Sequence, residues 1–281
     1  MKITAAVLTL ALTTSLFAQV AEGDKHYAMR AEGAQGARAV ATHVDAAIAA
    51  YQRAVAANAN DLEAHARLLR AYRFKGAYVA RTNEEKKSIY GTAKTAGEAA
   101  LAAVNRALAA KGVKANASEK QTADALRGAH GAADVYLWDA VNWGEWALAY
   151  GKLAAARQGA ADRIKREATI AQMIDPRLEG GSPARVLGRL HDQTPRIPFI
   201  TGWASSKEAV KYLEESMKLD PSNKLTHVFL AEAMVSNDSS TKAKAVQMLR
   251  GVINAPNHPE FLVEDAAATD DARALLKKFG G

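Results

Sequence analysis

Apolar residues return every three or four positions along most of the chain, and the places where that rhythm stops mark out pairs of helices. From Val44 to Ala57 the stripe consists of Ala47, Ile48, Tyr51, Ala54 and Val55, the spacing of one face of an α-helix. Asn58-Ala59-Asn60 interrupts it. A second stripe then carries Ala64, Leu68, Ala71 and Tyr72 and ends at Lys75-Gly76, where glycine can take the left-handed cap conformation. The same grammar returns downstream. Lys207 to Leu219 aligns Ala209, Val210, Leu213, Ser216 and Met217; Asp220-Pro221-Ser222-Asn223 stops that helix; and Leu225 to Met234 turns Val228, Leu230 and Ala231 inward.

Between these hairpins, Glu84 to Lys111 is predicted helical, and Ser118-Glu119 caps a further tract running to about Arg157, broken or bent near Gly128 and Gly131. Ile164 to Ile174 is another helix. Gly180-Gly181 then makes a turn, with Ser182 as the expected N-cap and Pro183 at the first helical position. A short helix holding Val186, Leu187 and Leu190 runs into a loop with Pro195 and Pro198. Thr269-Asp270-Asp271 is expected to start a last helix with Leu275, Leu276 and Phe279 inside, closed by Lys277, Lys278 and Gly280. Strict two-residue alternation is hard to find, and Arg196 to Thr201 is a single short extended candidate inside the proline loop. Gln19 to Val40 has three glycines and no clear apolar period, so residues 19–41 are expected to be a flexible or marginal lead-in to a helical domain over 42–281.

Composition sharpens this picture. Alanine supplies roughly a fifth of the 281 residues and proline only 7, which favours helices because alanine costs least in a helix interior. Met1-Lys2, the apolar run Ile3 to Phe17 and the small residue Ala18 form the pattern of a secretory signal peptide over 1–18, with cleavage expected after Ala18 and an uncleaved anchor as the alternative. A periplasmic or otherwise exported location follows. No later segment reads as a membrane span, since even Tyr136 to Tyr150 carries Asp139 and Glu145. The absence of cysteine removes disulfides, thiolate nucleophiles, zinc-thiolate sites and a lipid-modified cysteine. The net charge of +7 comes from cations interspersed with anions, a mixed surface that argues against nucleic acid as a partner.

The stretch Glu208 to Asn223 resembles the second helix and linker of a tetratricopeptide repeat, and Val44 to Ala64 resembles a degenerate copy. The fold expected is therefore all-α, a TPR-like α-solenoid of antiparallel hairpins. Beyond single repeats, the order of pieces from about residue 84 to 279 resembles the T component linked to tripartite ATP-independent periplasmic (TRAP) transporters. These pieces are Glu179 to Leu190, the loop Pro195 to Pro198, the repeat Lys207 to Asn223, and Leu249, Val252 and Ile253 before Asn254-Ala255-Pro256 and a final alanine-rich helix. The resemblance implies an exported repeat protein that can self-associate, with a groove for an apolar or carboxylate ligand and a TRAP solute-binding protein as partner. The anchoring cysteine such proteins can carry is missing, which puts tethering to a membrane in doubt.

Two constellations carry candidate chemistry. Trp138, Trp143, Trp146 and Tyr150 cluster in an alanine-rich stretch, and the last three fall at i, i+3 and i+7, so they form either the wall of a ligand groove or the filling between helices that alanine leaves apart. Arg185 and Arg189 sit at i and i+4, with Arg177 and Arg196 nearby, and either hold a carboxylate in a guanidinium fork or serve as salt-bridge scaffolding. The seven histidines show neither HExxH nor an i, i+4 pair, Gly180-Gly181 lacks the context of a phosphate loop, and no nucleophile elbow is present. No cofactor, metal site or catalytic residue is therefore expected. The expected function is non-enzymatic binding or scaffolding beside a TRAP-type solute-uptake system. The rivals are a cell-envelope scaffold with no transport role and a helical hydrolase working through a carboxylate pair.

Overall fold

The computed structural model describes residues 18–198 and 200–280, and among them there are helices and turns but no strand. The signal-peptide segment falls almost wholly on residues 1–17, outside the described residues. Thirteen α-helices follow in order: α1 over 18–28, α2 (Ala41–Ala57), α3 (Leu62–Phe74), α4 (Asn83–Ala110), α5 (Glu119–Leu126), α6 (Ala132–Tyr150), α7 (Lys152–Arg157), α8 (Ala160–Ile174), α9 (Ser182–Gln193), α10 (Ser206–Leu219), α11 (Lys224–Asn237), α12 (Lys242–Asn254) and α13 (Leu262–Phe279).

Local chemistry explains most of these boundaries. Asp61, Ser205 and Asn223 cap α3, α10 and α11 by accepting from backbone N–H groups of the first turn. Thr82 with Glu85, and Ser118 with Gln121, form reciprocal capping boxes at the starts of α4 and α5. Three expectations need correction. Residues 19–28, expected to belong to a loose lead-in, fall within a helix over 18–28 that puts Tyr27 into the core. Gly181, at φ 81°, is the N-cap of α9, while Ser182 is its first residue and turns its hydroxyl back to the Glu179 carbonyl at 2.9 Å. The last helix begins at Leu262 rather than Thr269, because a short 3-10 turn (Pro259–Phe261) leads straight into it and Thr269 spends its hydroxyl on the Asp265 carbonyl one turn back.

α10 and α11 run antiparallel. Ser206 at the start of α10 meets Asn237 at the end of α11, and Ser216 near the end of α10 meets Thr226 near the start of α11. The α9–α10 pair is equally close: a Cβ at Gly188 would come within 2.5 Å of Leu213 Cγ and 3.0 Å of the Ala209 carbonyl, so only glycine lets the two backbones approach this far. Each of α2–α3, α3–α4, α4–α6, α6–α8, α8–α9, α9–α10, α10–α11, α11–α12 and α12–α13 packs together, so the chain zigzags. In addition α3, α6, α9, α11 and α13 touch one another in succession, forming one continuous row. The side these five helices share is called the inner face below.

The ends of the zigzag meet. Val263 at the start of α13 is fully buried in the cluster that also holds Tyr27, Val44 and Tyr51. Arg30 Nε donates to Glu264 Oε1 at 3.0 Å, its second nitrogen donates to the Glu260 carbonyl at 2.5 Å, and the guanidinium packs over the rings of Tyr27 and Phe261. Near the same end, buried Lys224 at the start of α11 donates to the Ala255 carbonyl, Asn257 Oδ1 and Thr269, which locks the loop after α12 against α13.

Candidate functional site

The aromatic stripe of α6 is largely interior. Trp143 and Trp146 are 3% and 6% exposed, packed between α4 and α8 with Tyr90, Ala160 and Ile164. Their rings meet edge to face at 5.4 Å, and Tyr150 stacks on Trp146 at 4.7 Å with 41% of its own surface free. Lys94 sits over both indoles at 4.5 and 4.9 Å, and Arg163 covers Trp143 at 4.4 Å. The three rings adjoin as their spacing predicts, but cations and neighbouring helices cover them, so a continuous open wall does not result. Trp138 lies apart, lining a small cavity of about 80 Å³ with Glu63, Arg67, Arg70, His130 and Asp134.

The polar neighbours of that stripe are also consumed internally. Asn142 donates to the Leu69 and Trp138 carbonyls. Asp139 is completely buried and accepts from Arg163 at 2.7 Å, while Glu167, one helix away, accepts from the same guanidinium at 2.9 Å. Burial pushes both carboxyls upward, Glu167 furthest because the Asp139 charge adds to it, although Arg163 opposes both shifts. A Cβ at Gly97 would run into Asp139 Oδ1, so α4 closes over the group from the other side.

Arg185 and Arg189 project from one face of α9 toward α11, as their spacing requires. Arg189 is neutralised: it donates to Glu232 at 2.6 Å and Asp192 at 3.1 Å and lies over Phe229 at 4.3 Å. Arg185 donates to Thr226 Oγ1 at 3.1 Å and to the Ser182 hydroxyl, and among the described residues no carboxylate lies within 4.0 Å of it. The inner face adds residues that the sequence did not single out. On α3, Arg70 pairs with Glu179 at 3.3 Å and lies over Tyr27 at 4.3 Å, and Arg73 donates to Tyr78 Oη at 2.8 Å while sharing Glu145 at 3.5 Å. On α13, burial raises the Asp271 carboxyl even though Arg189 lowers it. No motif announced Arg70 and Arg73, because two cations three apart on an amphipathic helix ordinarily mark a solvated edge.

The row α3, α6, α9, α11 and α13 thus carries guanidiniums and carboxylates from each hairpin, most of them paired with one another. Among the described residues no three His, Asp or Glu side chains converge as metal ligands, and no helix is long and apolar enough to cross a membrane. Comparison with known proteins finds no family model that matches the chain and no curated protein related to it in sequence.

Proposed function

We propose that this is an exported, non-enzymatic helical-repeat protein, a TPR-like α-solenoid that binds or scaffolds beside a TRAP-type periplasmic solute-binding protein. The observation carrying this reading is the continuous row α3, α6, α9, α11 and α13, in which helices from successive hairpins touch side by side. Helical repeats recognise partners on such a surface through many fixed side chains, without turnover. The resemblance of residues 84–279 to the TRAP T component supplies the transport link and the exported location. The buried carboxylates favour binding over hydrolysis: Asp139 and Glu167 share Arg163 under a lid of Trp143 and α4, whereas a glycosidase needs its two carboxylates open to a sugar in a cleft.

Calorimetry with solute-binding proteins encoded beside this gene tests the proposal. Saturable binding that weakens on charge reversal at Glu232 or Asp271 is expected. Heat-silent mixing with every co-encoded receptor refutes the transport link and leaves the envelope scaffold in its place.

A further inference from the structure

Two features of the C-terminal hairpins find no use within the chain, and both line one cleft. The first is a charge. Lys224 at the start of α11 is 3% exposed, and its ammonium donates to the Ala255 carbonyl, Asn257 Oδ1 and Thr269 Oγ1, all neutral oxygens. A buried charge is ordinarily matched by an opposite one, yet among the described residues no carboxylate lies within 4.0 Å of this ammonium. Asp265, which lines the same cleft, accepts instead from the His258 backbone N–H at 2.8 Å. The second feature is a glycine. Inside a helix glycine is less stable than alanine, and at Gly97 and Gly188 packing explains it, since a Cβ would strike Asp139 or Leu213. A Cβ at Gly251 of α12 would meet nothing within 4 Å. The cleft has a volume of about 770 Å³ and runs beside α12 from Lys244 to Ala255, a length of about 16 Å. Met248, Gly251 and Val252 line it from α12, and Pro221, Pro256 and Pro259 hold the adjoining turns in fixed conformations. α12 also carries Lys242, Lys244 and Arg250 and no acidic residue, and among the described residues none of these three cations has a carboxylate within 4.0 Å.

We propose that this cleft docks an extended acidic segment of another protein, its backbone passing over Gly251 and its acidic side chains set against Lys244 and the Lys224 charge. A backbone can approach a helix most closely where the helix has no Cβ, which gives Gly251 its purpose. At about 3.3 Å per residue an extended chain of about five residues fills the length. Successive side chains of such a chain point to opposite sides, so acidic residues alternating with small or apolar ones suit a cleft that is cationic along α12 and apolar at Met248 and Val252. Charge excludes a basic segment, because it would face unpaired cations. The cleft opens along α12, outside the row α3, α6, α9, α11 and α13, so the proposal stands independently of docking to a solute receptor.

The test is fluorescence anisotropy of labelled, end-blocked hexapeptides that alternate glutamate with alanine or with leucine, titrated with the full chain. Peptides with lysine in place of glutamate, and vesicles of phosphatidylglycerol in phosphatidylcholine, run in parallel. The glutamate peptides should bind saturably and lose affinity as salt is added. Lys244→Glu should weaken them about tenfold, and Gly251→Gln, which puts a side chain into the cleft, about tenfold or more. Gly251→Ala separates docking from structure. It should raise the thermal midpoint by about 1–4 °C through helix propensity and yet weaken the peptide about threefold. Gly144→Ala, whose Cβ would likewise meet nothing within 4 Å, should raise the midpoint and leave peptide binding unchanged. The proposal is overturned if the glutamate peptides do not bind, if the lysine peptides bind as well, or if Gly251→Gln binds like the wild type. It is also overturned if Gly251→Gln abolishes vesicle binding or self-association in sedimentation while the peptides stay inert, which would assign the cleft to a lipid surface or to a second copy of the chain.

Discussion

Replacing Arg163 by alanine removes the one cation that two interior carboxylates share, and the cost can be worked from their geometry. Asp139 is wholly enclosed and 2.7 Å from the guanidinium, and Glu167 is 2.9 Å from it and almost as buried. Removing one partner of a buried ion pair costs about 3–5 kcal/mol, because the remaining charge has neither water nor a counter-charge. The Arg163 side chain is 26% exposed, and water entering the space it vacates moves the value toward about 3 kcal/mol at pH 7.5. Loss of the guanidinium from the Trp143 face adds about 0.5–1 kcal/mol. The penalty also depends on pH. Without Arg163 the folded state favours two neutral carboxyls, so it binds more protons than the unfolded chain and loses stability as pH rises above the ordinary carboxylate value, by up to about 1.4 kcal/mol per pH unit for each carboxyl. Urea unfolding at pH 5 and pH 7.5 measures both effects. A loss under about 1 kcal/mol at pH 7.5, or the same loss at both pH values, would refute the reasoning by showing that solvent already reaches Asp139.

Glu167→Gln should flatten the decline of wild-type stability between pH 5 and pH 8, since Glu167 is the carboxyl that burial and the Asp139 charge raise furthest; an unchanged slope in urea titrations counts against this assignment. Trp143→Ala should cost about 3–5 kcal/mol as a core truncation, whereas a groove residue would lose ligand binding and little stability; chemical unfolding separates the two. Gly188→Ala should cost about 1–2 kcal/mol net, because overpacking against Leu213 outweighs the helix propensity that alanine gains, and circular dichroism melts report the sign. Arg30→Ala should speed amide exchange in both α1 and the first turns of α13, and a change confined to α1 would mean that the Glu264 contact carries nothing across the junction.

The hairpins were legible because their information is local. Val44, Ala47, Tyr51 and Ala54 are buried as their stripe demands, and Ala209, Leu213 and Ser216 likewise. The breaks near Gly128 and Gly131 also appear, each with positive φ, and Gly280 closes α13 in the left-handed conformation. What escaped depends on contacts distant in sequence. Residues 18–28 have little apolar period of their own and are ordered by Tyr51, Phe74 and the start of α13. At Ser182 the cap preference lost to Gly180-Gly181, whose left-handed pair places the helix start one residue earlier. The candidate site was half legible. Spacing put Arg185 and Arg189 on one face, but the reason they differ lies in Glu232 and Thr226, about forty residues away on α11. Arg73 could not be recognised at all, since its carboxylate partner Glu145 reaches it only after the chain has folded back on itself.

The clasp between Arg30 and Glu264 also changes how the molecule comes apart. An array whose units lean only on their neighbours can fray from either terminus and peel inward. Here the turn after α1 and the first turn of α13 hold each other, so peeling from either side has to break that contact as well. The clasp joins positions 234 apart, so on a growing chain it forms only after nearly everything else has been made. A C-terminal truncation would therefore leave its first mark at the opposite terminus, around Tyr27 and Arg30.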